Sequence, residues 1–166
     1  MKKQQSALTV VRMAQSHAQS ELAEQGRIRP GIFMLVLRNP QTDGRLSQPT
    51  AIGSIVEEGF ADPEDQEQFL QGVREEAQRL EAVAVALCLQ AEAELEGESK
   101  TLPVAVVHIE DESGLTLLHA PIEPGDKGPQ LGAFVALEGR EAIEASGIHP
   151  PLLQSSPAVD ADSPTV

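Results

Sequence analysis

Along residues 5–25 the apolar positions recur at steps of three and four: Leu8, Val11, Ala14 or Gln15, Ala18 and Leu22. That spacing predicts an amphipathic helix, and Gly26 suits the position just past its end. The stripe is rich in alanine and so only weakly apolar. It suits close packing on a sheet or against a partner helix. GIFMLVL (31–37) follows Pro30 as a continuous apolar run of seven residues, a length and composition that predict a buried strand. NPQTDG (39–44) supplies turn chemistry. A weaker second strand is expected within 45–56, where Pro49 and Gly53 point to an edge position or a bulge.

The next start signal is sharper. Asp62 can cap a helix, Pro63 fits its first position, and Glu64 and Asp65 complement its dipole. Phe69, Leu70, Val73, Ala77 and Leu80 mark one face of a helix from 63 to 80. EAVAVALCLQAEAELE (81–96) carries two conflicting signals. Its Ala, Glu, Leu and Gln favour helix. Yet Val83, Val85, Leu87, Leu89, Ala91, Ala93 and Leu95 fall on alternate positions, and a period of two predicts a strand. LPVAVVHIE (102–110) and LTLLHAPIE (115–123) read as a hairpin around DESG (111–114), with Gly114 placed for a positive φ. EPGDKGP is a loop by composition, LGAFVAL (131–137) one more strand, and REAIEAS (140–146) a short helix closed by Gly147. Residues 150–166 are rich in Pro and Ser and lack periodicity, so a disordered tail is expected after a single domain over 1–149.

The main order is α-β-β-α-β-β-β. It implies an α+β protein, a two-layer sandwich whose mostly antiparallel sheet has about five or six strands, with two main helices on one face. Over residues 5–137 this order resembles that of roadblock- or profilin-like domains. The resemblance is one of topology, so what it implies is a fold and not a function.

Composition narrows the picture. The chain has 166 residues, enough to bury a core without staples. It contains four Phe and no Trp or Tyr, so that core must be aliphatic. The single cysteine, Cys88, excludes an internal disulfide and is compatible with a reducing compartment. Met1-Lys2-Lys3 is followed by Gln4, Gln5 and Ser6 rather than by an apolar leader, and no apolar run approaches the roughly 20 residues a membrane span needs. A soluble cytoplasmic protein is therefore expected. The net charge is −14. Residues 1–45 hold seven Lys/Arg against Glu21, Glu24 and Asp43, so the acid lies beyond them. This balance argues against nucleic-acid partners and against anionic lipid surfaces. It fits a solvated surface, or an acidic face that recruits a basic partner.

The hairpin carries the main chemical candidates. If residue 110 pairs with 115, His108 faces Leu117 and His119 faces Val106. Val106, His108, Glu110, Leu115, Leu117 and His119 then share one face of the sheet. His108, His119 and Glu110 are thus candidate ligands for zinc or iron. Against a metal site, Glu110 lies on the far side of His108 from His119, and nothing fixes a third ligand beside both imidazoles. A half-exposed sheet face is the preferred reading. With residue 95 opposite 102, Cys88 would face Ile109 and point away from His108, so no Cys–His dyad is expected. His17 and His149 read as isolated. GESKT (97–101) lacks the glycines of a phosphate loop, and HExxH, CxxC, GxSxG and GxGxxG do not occur. The acidic run EEGFADPEDQE (57–67) is explained by a solvated loop and helix start.

The leading expectation is a non-enzymatic protein-interaction module, self-associating as a homo-oligomer and needing no cofactor. One alternative is an acidic escort protein; in size, charge and mixed class the chain resembles the small acidic chaperones of bacterial secretion systems. Others are a nucleic-acid mimic, and a metal-dependent enzyme using His108 and His119.

Overall fold

A computed structural model describes residues 2–56, 60, 62–94, 101–148 and 151–153. The element order is α1 (Lys2–Gln25), β1 (Gly31–Arg38), β2 (Arg45–Ile55), α2 (Pro63–Arg79), β3 (Ala84–Glu94), β4 (Thr101–Asp111), β5 (Gly114–Glu123), β6 (Gln130–Leu131), β7 (Val135–Glu138) and α3 (Gly139–Ser146). One antiparallel sheet of seven strands runs in the order β2-β1-β3-β4-β5-β6, and β7 also pairs with β5. The α+β class and the order of elements are those expected from the sequence.

Local chemistry sets the boundaries. The Asp62 carboxylate accepts the Asp65 N–H at 2.8 Å, and Pro63 opens α2. At the far end the Leu80 carbonyl accepts the N–H groups of both Leu37 and Arg38, which ties the end of α2 to β1. In 84–94 the alternation prevails over helix propensity, because every second side chain of β3 meets a different layer. Ala84, Ala86 and Cys88 face α1, while Val85 and Leu87 face α2.

The two main helices lie on opposite faces of the sheet rather than on one. Val10, Ala14, Ala18 and Leu22 of α1 pack over Phe33, Leu35, Ala86 and Val107. Leu70, Val73, Ala77 and Leu80 pack over Ile32, Met34, Val36 and Leu87 on the other side. The reason lies in β1, whose first six residues are all buried. A strand apolar on both faces needs cover on both. Ala14, Ala18 and Leu22 of the expected α1 stripe are buried, but in its first turns Leu8 is exposed, Val11 is only half-buried and Val10 takes the inward place. Its alanines point inward because the floor there is itself built of Ala84, Ala86 and Ala105, so helix and sheet approach closely through small side chains.

The hairpin takes the expected register, with Glu110 opposite Leu115, His108 opposite Leu117 and His119 opposite Val106; Gly114 has φ 124°. In the β3–β4 pair Cys88 lies opposite Val107, two residues from the expected Ile109. The shift preserves parity, so Cys88 still points away from His108. The strand expected over 131–137 is broken into β6 and β7. At the break Gly132 donates its N–H to the Pro121 carbonyl, and a Cβ there would lie 2.6 Å from the Glu123 carboxylate. Gly147 closes α3 at φ 65°. Pro151–Leu153, within the segment expected to be a tail, instead reach the α2 face, where Leu152 and Leu153 are buried; 154–166 lie outside the described residues. Among the described residues no helix is long and apolar enough to cross a membrane.

Candidate functional site

β4 is an interior strand between β3 and β5. Its even-numbered residues toward the hairpin turn point to the α2 face, which places His108 between Leu87 and Leu117, and Glu110 between Val85 and Leu115. Each is 2% exposed. Two residues apart on one strand face, they meet directly: His108 Nε2 lies 2.7 Å from Glu110 Oε2. The same carboxylate accepts the backbone N–H of Leu152 on Oε2 and that of Leu153 on Oε1, each at 2.8 Å. A buried carboxylate is tolerable only when its lone pairs are occupied, and here three donors occupy them. His108 Nδ1 is buried without a hydrogen-bond partner among the described residues.

This arrangement decides how the candidate ligands relate. The structure joins His108 to Glu110 as a hydrogen-bonded pair. His119 is half-buried on the same face, between Val106 and Val135. Among the described residues no group of three or more His, Cys, Asp or Glu is placed to hold a metal ion. The Glu110 oxygens are directed at the chain's own amides. What the pair does here is hold Pro151–Leu153 against the sheet.

Beside that segment lies an open groove of about 480 Å³, lined by Leu37, Ala77, Gln78, Glu81, Ala82, Val83 and Leu153. It sits where the end of α2 turns into β3. Glu81 takes a left-handed φ of 52° in that turn, and its carboxylate pairs with Arg38.

A second polar cluster fastens the α1–β1 connection on the opposite face. Arg29 forks onto Glu21 through Nε at 2.6 Å and a terminal nitrogen at 2.8 Å, and donates its backbone N–H to the same carboxylate. The Arg29 side-chain hydrogen bond, chiefly, holds the Glu21 carboxyl down at about 2, against the opposing effect of burial. His17, which the sequence left isolated, donates from Nε2 to the Arg29 carbonyl at 2.7 Å and sets its ring edge-on to Phe33. A Cβ on Gly31 would come within 2.8 Å of that imidazole, so only glycine allows the ring to lie there without displacement. Gln90 completes the fastening by accepting the Ile28 N–H at 3.0 Å.

Cys88 is fully buried on the α1 face, and burial, aided by the nearby Glu21 charge, pushes its thiol up to about 12. The thiolate is the reactive species, so Cys88 is chemically silent in the folded chain. Thiol labelling of the native protein at pH 8 is expected to proceed only at the rate of structural opening, and to become fast in denaturant. Rapid labelling of the native state would contradict the burial of β3 beneath α1.

The contact of Glu110 with the Leu152 and Leu153 amides is hidden from sequence reading because the two leucines belong to no periodic pattern. The one available signal was an aliphatic pair between PP and QSS in an otherwise polar stretch. For the α1–β1 fastening the signal was Glu21 on the helix and Arg29 eight residues later. His149 and residues 57–59, 61 and 95–100, which include most of GESKT and part of the acidic run, lie outside the described residues. No protein-family model, curated protein or solved structure matches this chain.

Proposed function

We propose that this chain is a non-enzymatic protein-interaction module that self-associates through the outer edge of β2. The observation that carries the reading is the chemistry of that edge. Among the described residues β2 pairs with β1 alone, and most of its side chains are exposed. An edge strand presents unpaired N–H and C=O groups to any other strand. Over RLSQPTAIGSI the only charged residue is Arg45, in a chain of net charge −14. A net negative charge sets two copies against each other, and an edge free of carboxylates adds nothing to that repulsion.

The edge is also divided. Pro49 and the register shift between Val36 and Arg38 disrupt its first half, whereas 50–55 pairs regularly with β1. An antiparallel pairing of Thr50–Ile55 with its own copy about a two-fold axis would extend the sheet across the dimer. Ile55, 45% exposed, would gain apolar cover there. The reading includes a reducing, cytoplasmic setting for the single buried thiol, and neither nucleic acid nor lipid as a partner.

Sedimentation velocity over a concentration series tests this. Dimer formation is expected to strengthen with added salt, which screens the net charge. Ser54→Lys, exposed on the regular half of the edge, is expected to weaken the dimer by about tenfold or more, since an edge lysine opposes strand addition. A chain that stays monomeric at about 100 μM, two orders above a micromolar dissociation constant, or a dimer indifferent to Ser54→Lys, would remove β2 as the interface.

A further inference from the structure

Pro151–Leu153 belongs to no helix or strand, yet it is held as a bound peptide would be. Glu110 reads two successive backbone amides, those of Leu152 and Leu153. Such recognition requires only that neither position be proline. Specificity then comes from the side chains, and both leucines are buried, at 0% and 3% exposure, in the apolar layer between α2 and the sheet. The receiving group is oriented from below by His108, which belongs to β4 and not to the segment it receives. Glu110, His108 and the apolar positions of β1, β3 and α2 that receive the leucines therefore lie outside the segment that fills the site.

The fit is incomplete on one side. Leu153 forms one wall of the open groove, whose other apolar walls are Leu37, Ala77, Ala82 and Val83. The chain continues from Leu153 as Gln154, Ser155 and Ser156, side chains that gain little from apolar walls. A large apolar residue after the leucine pair would gain more from those walls than a glutamine side chain can.

We infer that the Glu110–His108 pair, the leucine-filled layer and the adjoining groove form a peptide-binding site for a Leu-Leu-apolar segment of a partner protein. The chain's own Pro151–Leu153 occupies the site and guards it. A partner competes with this internal segment, so its apparent affinity falls by the fraction of time the site is closed. This site shares no residue with the β2 edge, and the two proposals stand or fall separately.

The test uses the full-length chain and two fluorescent peptides, PPLLQSS and the same peptide with Phe in place of Gln. The double substitution Leu152→Ser with Leu153→Ser weakens the internal occupant and leaves Glu110, His108 and the walls from β1, β3 and α2 unchanged; the second leucine of a bound peptide supplies the groove wall that Leu153 loses. Fluorescence polarisation is expected to show both peptides binding this variant, the Phe peptide about tenfold tighter. Wild type is expected to bind each more weakly. Adding Glu110→Gln, which turns one acceptor oxygen into a donor facing a backbone N–H, is expected to cost about tenfold in affinity. A cooperatively folded double variant that binds neither peptide, or that binds as well with Glu110→Gln, overturns the proposal. Should the double variant fail to fold, hydrogen exchange on wild type decides. Leu152 and Leu153 amides that exchange well before those of β3 and β4 support a segment that opens by itself. Exchange only with global unfolding contradicts it.

Discussion

Glu110→Ala is expected to cost about 3–5 kcal/mol of folding stability, because two buried backbone N–H groups and the His108 imidazole lose their partner together, at about 1–3 kcal/mol each. The substitution removes an acceptor that serves His108, Leu152 and Leu153 together. Two backbone N–H groups and an imidazole nitrogen are then left in a layer closed by α2, and buried donors without partners carry their full desolvation cost. Glu110→Gln is expected to cost less, because one oxygen remains to accept. Urea denaturation followed by circular dichroism reads both: the midpoint should fall with the slope nearly constant. A loss for Glu110→Ala below about 1 kcal/mol, no more than one ordinary hydrogen bond, would mean that the carboxylate does not hold the segment.

Acid should weaken the fold through the other cluster. The Glu21 carboxyl titrates at about 2 in the folded chain against 4.5 in its ordinary state, mainly because Arg29 donates to it. A group whose folded pKa is depressed adds stability above its unfolded pKa. That contribution fades as pH falls through the folded value. Here it is present in full above about pH 5 and is lost between about pH 5 and 2, amounting to about 3 kcal/mol. The fall in urea midpoint over that range should be markedly shallower in Glu21→Gln, which keeps the shape and cannot titrate. An unchanged pH slope in that variant would show that other carboxylates dominate the acid response.

Features fixed by neighbouring residues were legible in the sequence. The DESG turn and Gly114 set the β4–β5 register to the residue, and with it the shared face of His108, Glu110 and His119. Asp62-Pro63 marked the start of α2. The alternation from Val83 onward placed β3 against its helix propensity, because tertiary cover on both sides rewards period two. What stayed hidden depends on distance along the chain. Glu110 and Leu152 are separated by 42 positions, and no local pattern links them. The choice of face for each helix followed from β1 being apolar on both sides, a fact visible in GIFMLVL but silent about which helix covers which side. Ala14, Ala18 and Leu22 of the α1 stripe were legible, while at its start Val10 rather than Leu8 or Val11 turns inward, a choice that the spacing alone leaves open. The break between β6 and β7 turned on the close approach of Gly132 to β5, a contact that composition does not announce.

The proposed self-association and a His–Glu pair that holds the fold rather than a metal are two halves of one proposal. Native mass spectrometry of the untreated full-length protein tests both halves at once. A dimer of twice the 17.7 kDa chain mass with no added mass is expected. A monomer at every concentration, or an excess equal to one metal ion per chain that is lost on His108→Ala, would contradict it and return the hairpin to consideration as a metal site.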